Sequence, residues 1–228
     1  MTAVEELREK HGCKAAQARS VVSGYTTVPY TIAYANELVE DPIAFEWHND
    51  ELRLTYRTPR RNDWVHGILR ARVRDLRDRR PDLRGSERMR KLNTRRQWRC
   101  MDKRLCQVCG KPATDLETGR IPWALTSTVF ERTGPDSGRT NAPPTCWSCI
   151  PKALEECPML RQDFAVYTVA DTTSAGVLAD TYVPAVAGPF LSRHNVFVAW
   201  DAHRYHASTL AVAQMVELHD MRPIDAPG

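Results

Sequence analysis

The chain has 228 residues, 42% hydrophobic and 26% charged, which is enough to bury a core and ordinary for a globular protein. Its net charge is +4, and no apolar run approaches the roughly 20 residues that a membrane helix needs, so no membrane role is expected. Seven cysteines, an odd number with four of them in two Cys-x-x-Cys pairs, favour metal ligation in a reducing compartment over a disulfide framework.

The N-terminus, "MTAVEELREKHG", is charged throughout and lacks a signal-peptide apolar region, so a cytoplasmic location is expected. Thr2 and Glu5 form a capping box for a first helix that Gly12 ends, and "CKAAQARSVVSG" suggests a second short one. A helix-turn-helix over residues 4–38 is disfavoured, because Pro29 and the β-rich "VPYTIAY" occupy the place of a recognition helix. "AFEWHNDELRLTY" (44–56) predicts a hairpin turning at Asn49 and Asp50, and "RTPRRND" a loop.

In "WVHGILRARVRDLRDRR" the residues Val65, Leu69, Val73 and Leu76 make a helical stripe, with Asn62 or Asp63 as cap and Pro81 as stop. The same stretch alternates as a strand would, with Arg70, Arg72 and Arg74 on one side. Its length favours the helix. Ser86 then predicts the start of a further basic helix through "ERMRKLNTRRQW".

Charge is concentrated here. From Arg57 to Arg104 there are 18 Lys and Arg against 6 Asp and Glu, so this stretch carries +12 and the rest of the chain −8. Such asymmetry points to an electrostatic docking surface, unless the two parts neutralise each other within the fold.

Cys106 and Cys109 open the next segment, and Cys146 and Cys149 close it. Each Cys-x-x-Cys turn brings two thiolates to one ion, and two turns complete a tetrahedral four-cysteine site with zinc as the expected structural metal. Between the pairs lie "GRIPWAL", a predicted strand, and "ERTGPDSGRTNAPP", a hairpin with a loop; "KALEECP" after the second pair predicts a short helix. Knuckle, extended middle and a second pair at a helix start is the order of a treble-clef module. Cys100 and Cys157 flank it as further candidate ligands or as small buried residues, and Cys13 stands alone.

The run from Asn141 through Cys146, Cys149 and Lys152 resembles the second half of a zinc-containing HNH-endonuclease module. The resemblance covers roughly residues 104–157 and implies that the four cysteines are structural ligands and that Asn141 matches the middle Asn of the family. It does not extend to the catalytic residues: there is no histidine from Cys109 to Arg193, and Ile150 stands where a second His commonly follows. A shared scaffold without nuclease chemistry is the expectation. The "CQVCG" knuckle, Pro143 to Cys149 and Cys157-Pro158 are also similar to uncharacterised actinobacterial and phage-associated zinc-knuckle proteins, a likeness that carries no known activity.

Beyond the module, "DFAVYTVA", "GVLADTYVP" and "HNVFVAWDA" predict strands, "ASTLAVAQMVELHDMR" a closing helix and "PIDAPG" a tail. Asp201, His203 and His206, with His194 nearby, are candidates for a catalytic or second metal site, and His48 with Asp50 is a lesser one. No phosphate-binding glycine loop or nucleophile elbow is present.

The chain is therefore expected to be α+β, a treble-clef-like four-cysteine zinc module packed with flanking hairpins, strands and helices. Its expected segments are 1–56 (helix and hairpin), 57–104 (basic), 105–160 (zinc module) and 161–228 (strands and helix), in one compact unit. The leading functional expectation is a zinc-stabilised nucleic-acid-binding protein without HNH nuclease chemistry, with DNA ahead of RNA as partner. Arg70, Arg72, Arg74, Arg77, Arg95, Arg96 and Arg99 would contact phosphates, with Trp64 and Trp98 as stacking surfaces. The alternatives are an enzyme acting at Asp201, His203 and His206, and a phage or regulatory module that binds a protein partner.

Overall fold

The computed structural model describes residues 27–224. In chain order the elements begin with β1 (Ile32–Tyr34), β2 (Ile43–His48), β3 (Glu51–Tyr56), β4 (Trp64–Val65), β5 (Ile68–Arg70) and β6 (Glu87–Leu92). There follow α1 (Thr94–Lys103), β7 (Ile121–Leu125), β8 (Phe130–Gly134), β9 (Ser137–Thr140), α2 (Ile150–Glu156) and α3 (Pro158–Gln162). The chain closes with β10 (Ala165–Val169), β11 (Asp171–Ala185), β12 (Gly188–Ala199), β13 (Thr209–His219) and β14 (Arg222–Pro223). Helices and strands are mixed, compatible with the α+β expectation. The helices expected over residues 1–24, and Cys13, lie outside the described residues. Among the described residues no helix is long and apolar enough to cross a membrane.

The elements fall into two compact units whose borders cut across the sequence segments. The first comprises the described parts of Met1–Ile32, Arg96–Thr173 and Val216–Gly228. Its three-stranded sheet has the order β14-β10-β7, and all five residues of β7 are buried. Ile121, Trp123 and Leu125 face a core with Met101, Val108, Val169 and Leu218, whereas Ala124 joins Ile150, Leu154 and Val166 on the other side. Period-2 alternation with both faces covered explains why this strand reads as a continuous apolar run.

The second unit comprises Ala33–Arg95 and Ser174–Met215. Here β12, β11, β13, β5 and β4 lie in that order in one sheet, and β2 pairs with β3 as the sequence predicts, turning at Asn49 and Asp50 with φ of 48° and 62°. Leu54, Tyr56 and Leu69 form its core with Ile43, Phe45, Trp64 and Leu210.

Three expected helices are replaced. The stretch 63–80 forms the short strands β4 and β5 and then an irregular extended segment, because its backbone groups find partners elsewhere in the unit. The Tyr56 hydroxyl accepts from the Arg72 amide, the Glu37 carbonyl from the Arg74 amide, and the buried Glu37 carboxylate from the amides of Leu76 and Arg77. The helix expected from Ser86 is β6 until Leu92, and only Thr94 begins α1. The closing helix is the strand β13; Thr209, Ala211 and Ala213 are buried on alternate positions, and Leu210 and Ala211 pair in parallel with Leu69 and Arg70.

Candidate metal centre and arginine-lined cleft

The first cysteine pair sits on a tight knuckle. The Cys106 amide donates to the Lys111 carbonyl at 2.7 Å, and the Gly110 amide returns to the Cys106 carbonyl at 2.8 Å. Gly110 takes φ +74°, and a Cβ there would lie 2.9 Å from the Tyr30 ring, so both the turn and its packing require glycine. The Val108 amide points at the Cys106 sulfur, 3.4 Å away.

The second pair runs into α2. The amides of Cys149 and Ile150 donate to the Cys146 carbonyl at 2.9 and 3.1 Å, and Pro151 occupies the first turn, where its missing N–H costs nothing. Three bonds tie the halves together: Gln107 amide to Pro144 carbonyl at 2.8 Å, Gln107 Nε2 to Thr145 Oγ1 at 2.9 Å, and Trp147 Nε1 to Asp115 Oδ2 at 2.8 Å. The buried Trp123 fastens the approach to the second pair by donating to the Ala142 carbonyl at 2.8 Å.

As a result the sulfurs of Cys106, Cys109, Cys146 and Cys149 all lie within 4.8 Å of one another, close enough to hold a metal ion. None of these cysteines is in a disulfide. The Cys109 and Cys146 sulfurs are 3.8 Å apart. A tetrahedral ion with metal–sulfur bonds of about 2.3 Å sets its sulfurs roughly 3.8 Å apart, so the donor set fits. Sharing of protons among the thiols, the contact with Cys106 foremost, pulls Cys146 far below and pushes Cys149 far above the ordinary thiol range. Four thiolates this close need a cation to coexist.

Among the described residues this is the one group of three or more such side chains placed to hold a metal. Cys100 and Cys157 stay outside it; Cys100 is fully buried, and burial pushes its thiol up to about 12. The backbone carbonyl of Asn141 accepts from the buried Gln97 Nε2 at 2.9 Å.

The histidine cluster is differently disposed. His203 and His206 contact edge to face with ring centres 5.1 Å apart, but His206 is buried with Nε2 3.2 Å from the Ala199 carbonyl, and Asp201 is exposed. The His194 ring meets Asp180 at 2.7 Å on the surface of the β11–β12 hairpin.

The basic segment separates into arginines that hold the chain and arginines that face outward. Arg96 is fully buried, its guanidinium donating to the carbonyls of Tyr30 and Ile32 at 2.6 and 2.8 Å, which removes it from any phosphate-contacting set. Arg99 donates to the Tyr30 hydroxyl at 2.7 Å, and Arg77 lies over the Tyr34 ring. Trp98 is buried, and Arg53 covers a face of Trp64 at 4.3 Å, so neither offers the open stacking surface expected of it.

Arg60, Arg61, Arg70, Arg72, Arg74 and Arg95 line a single cleft of about 290 Å³ in the second unit. Arg70 at the end of β5 and Arg72 and Arg74 in the extended segment that follows alternate along the chain, which turns them to one side. Arg60 and Arg61 come from the β3–β4 loop, and Arg95 from the first turn of α1. Asp41 and Asp63 are the cleft's carboxylates, and six arginines against two aspartates leave +4.

Arg72 is locked into the wall of this cleft. It donates to Asp63 through Nε and a terminal nitrogen, at 3.0 and 2.6 Å, to Asp41 at 2.6 Å and to the Thr58 carbonyl at 2.7 Å, and its guanidinium lies 3.9 Å from the centre of the Tyr56 ring. Burial pushes the Asp63 carboxyl up, but the hydrogen bonds from Arg72 and the Arg60 amide prevail and hold it below the usual range. The same carboxylates push the Arg72 guanidinium further up.

By contrast Arg60, Arg61, Arg74 and Arg95 are exposed, and within the described residues their side chains make no hydrogen bond or ion pair. Of the arginines expected from the sequence, Arg70, Arg72, Arg74 and Arg95 line the cleft; Arg60 and Arg61, from a loop far from α1 in sequence, line it as well and were not among those expected. The adjacent arginines after Pro59, with a carboxylate two residues on, were the available signal. Comparison with protein families, with curated proteins and with solved structures finds no match to this chain.

Proposed function

We propose that this chain is a zinc-stabilised nucleic-acid-binding protein without HNH nuclease chemistry. The observation that carries the reading is the cleft, of net charge +4, in which four exposed arginines make no side-chain hydrogen bond or ion pair among the described residues. An unneutralised arginine cluster is costly in self-repulsion and suits a ligand that brings negative charge in pairs of oxygens, as phosphate does. On the exposed side of β6, Arg88 and Arg90 are further basic side chains without an internal hydrogen bond or ion pair among the described residues.

Zinc suits the four-thiolate set, and with four protein ligands the ion has no open position for water or substrate, so its role is to brace the fold. The knuckle, extended middle and ligand pair at the start of α2 follow the order of a treble clef, which is the fold proposed for residues 104–157. The absence of histidine from that stretch supports a scaffold without the nuclease reaction.

The test is fluorescence anisotropy with a labelled 20-base-pair DNA and a matching RNA at low and moderate salt. Micromolar or tighter binding whose logarithm falls steeply with log salt, by about 0.9 for each phosphate contact on duplex DNA, is the expected result. No binding of either at low salt contradicts the reading and turns attention to a protein partner.

A further inference from the structure

The shape of the arginine cleft says more than its charge. A strand's internal phosphodiester carries a sugar on both sides and one negative charge, so an exposed pair such as Arg88 and Arg90 on β6 suffices to meet it. A terminal phosphate monoester carries close to two charges and projects from the chain end, so it can reach further into a concave site and meet more arginines there than an internal phosphate can. The cleft, at about 290 Å³, lies at the small end of ligand sites and is lined by arginines from three separate pieces of chain. From this geometry we infer that the cleft is a receptor for a terminal phosphate on a nucleic-acid strand, an inference that rests on the proposed function.

The site is built in advance of its ligand. Asp63 accepts from the Arg60 amide at 2.6 Å and from Arg72, which fixes the turn of the β3–β4 loop. Arg70 donates to the Asn62 carbonyl at 3.2 Å in the same loop, so the residues that carry Arg60 and Arg61 are anchored at two points. The Tyr56 hydroxyl bridges the Arg70 carbonyl, at 3.2 Å, and the Arg72 amide, at 2.9 Å, setting the extended segment from which Arg74 projects. Arg72 itself is saturated by the two aspartates and Thr58, so it shapes the wall and leaves the binding to Arg60, Arg61, Arg74 and Arg95. Such preorganisation reduces the entropy lost on binding. The carboxylates are hydrogen-bonded to Arg72, while the side chains of Arg60, Arg61, Arg74 and Arg95 make no hydrogen bond or ion pair among the described residues.

A free di- or triphosphate offers the same chemistry as a phosphorylated strand end, and the experiment separates the two. Single-stranded oligonucleotides of one sequence, with a 5′-phosphate, a 3′-phosphate or hydroxyl ends, are titrated against the full chain, with pyrophosphate as competitor. The same titrations are made on Arg60→Ala/Arg61→Ala and on Arg88→Ala/Arg90→Ala, all exposed positions whose circular dichroism melts should match the parent. The expected result is a preference of about tenfold for one phosphorylated end. It should be lost in Arg60→Ala/Arg61→Ala while binding of the hydroxyl-ended strand persists, and kept in Arg88→Ala/Arg90→Ala, which weakens all strands alike. Equal affinity for all three strands overturns the inference while leaving the proposed function intact. Pyrophosphate binding that depends on Arg60 and Arg61, without any end preference, also overturns it and assigns the cleft to a free phosphate. If neither the strands nor pyrophosphate bind, both readings fall together.

Discussion

Arg72 makes four hydrogen bonds to Asp63, Asp41 and the Thr58 carbonyl, and nothing in the sequence "RARVR" distinguishes it from Arg70 or Arg74. Its role follows from two aspartates, one 31 and one 9 positions away, that only the fold brings together. The same blindness applies to Arg96 and Glu37, both fully buried, whose charged side chains are taken up by backbone groups of distant segments. Removing one partner of a buried pair leaves the other uncompensated, so Arg72→Met should destabilise the second unit by about 3–5 kcal/mol at neutral pH. The folded-state value of Asp63 is depressed, so its contribution is present above the unfolded carboxylate value of about 3.9 and is lost as pH falls through the lower folded value. Urea denaturation of the two chains should therefore show a gap at pH 7 that narrows as pH falls below the unfolded carboxylate value of about 3.9. Equal midpoints at pH 7, or a gap that persists unchanged in acid, would count against this role.

At the scale of elements, short-range signals that do not depend on partners were legible. The Asn49–Asp50 hairpin, the two Cys-x-x-Cys turns and the proline-led α2 are each written in a few neighbouring residues, and each stands where the sequence places it. Elements whose backbone bonds are made at long range were not. The 63–80 stretch has a helical stripe, yet Tyr56, Glu37 and Asn93 take over its hydrogen bonds; Asn93 reaches the Arg74 carbonyl at 2.7 Å. β13 is rich in alanine and leucine and reads as a helix, but pairing with β5 over more than 130 positions decides it. The two knuckles belong to the first class as turns and to the second as a site, because the Cys109 and Cys146 sulfurs meet across 37 positions of sequence. A structural zinc contributes on the order of 10–16 kcal/mol to small modules. The purified chain should carry one zinc per molecule, and chelation, or Cys106→Ser, should abolish the near-ultraviolet signal of Trp123 and Trp147 and lower the thermal midpoint. A metal-free sample with an unchanged melt would contradict the structural-zinc proposal.

At the scale of the molecule, the charge asymmetry of +12 against −8 was legible by counting, whereas its disposition was not. The basic stretch is divided at Arg95 and Arg96 between the two units, and only the part in the second unit lines the cleft. Counting also could not separate the arginines that brace the chain from those left for a ligand, because that depends on which carboxylates and carbonyls the fold delivers to each. In the proposed reading the outward arginines of the cleft, rather than the bulk charge, bind nucleic acid. The most direct measurement is the salt dependence of affinity for duplex DNA of the parent chain and of a chain carrying Arg60→Ala, Arg61→Ala, Arg74→Ala and Arg95→Ala. Each phosphate contact removed should make the slope of log affinity against log salt shallower by about 0.9, so weaker binding and a slope reduced by at least that amount are expected. Identical slopes and affinities in the two chains would contradict that reading.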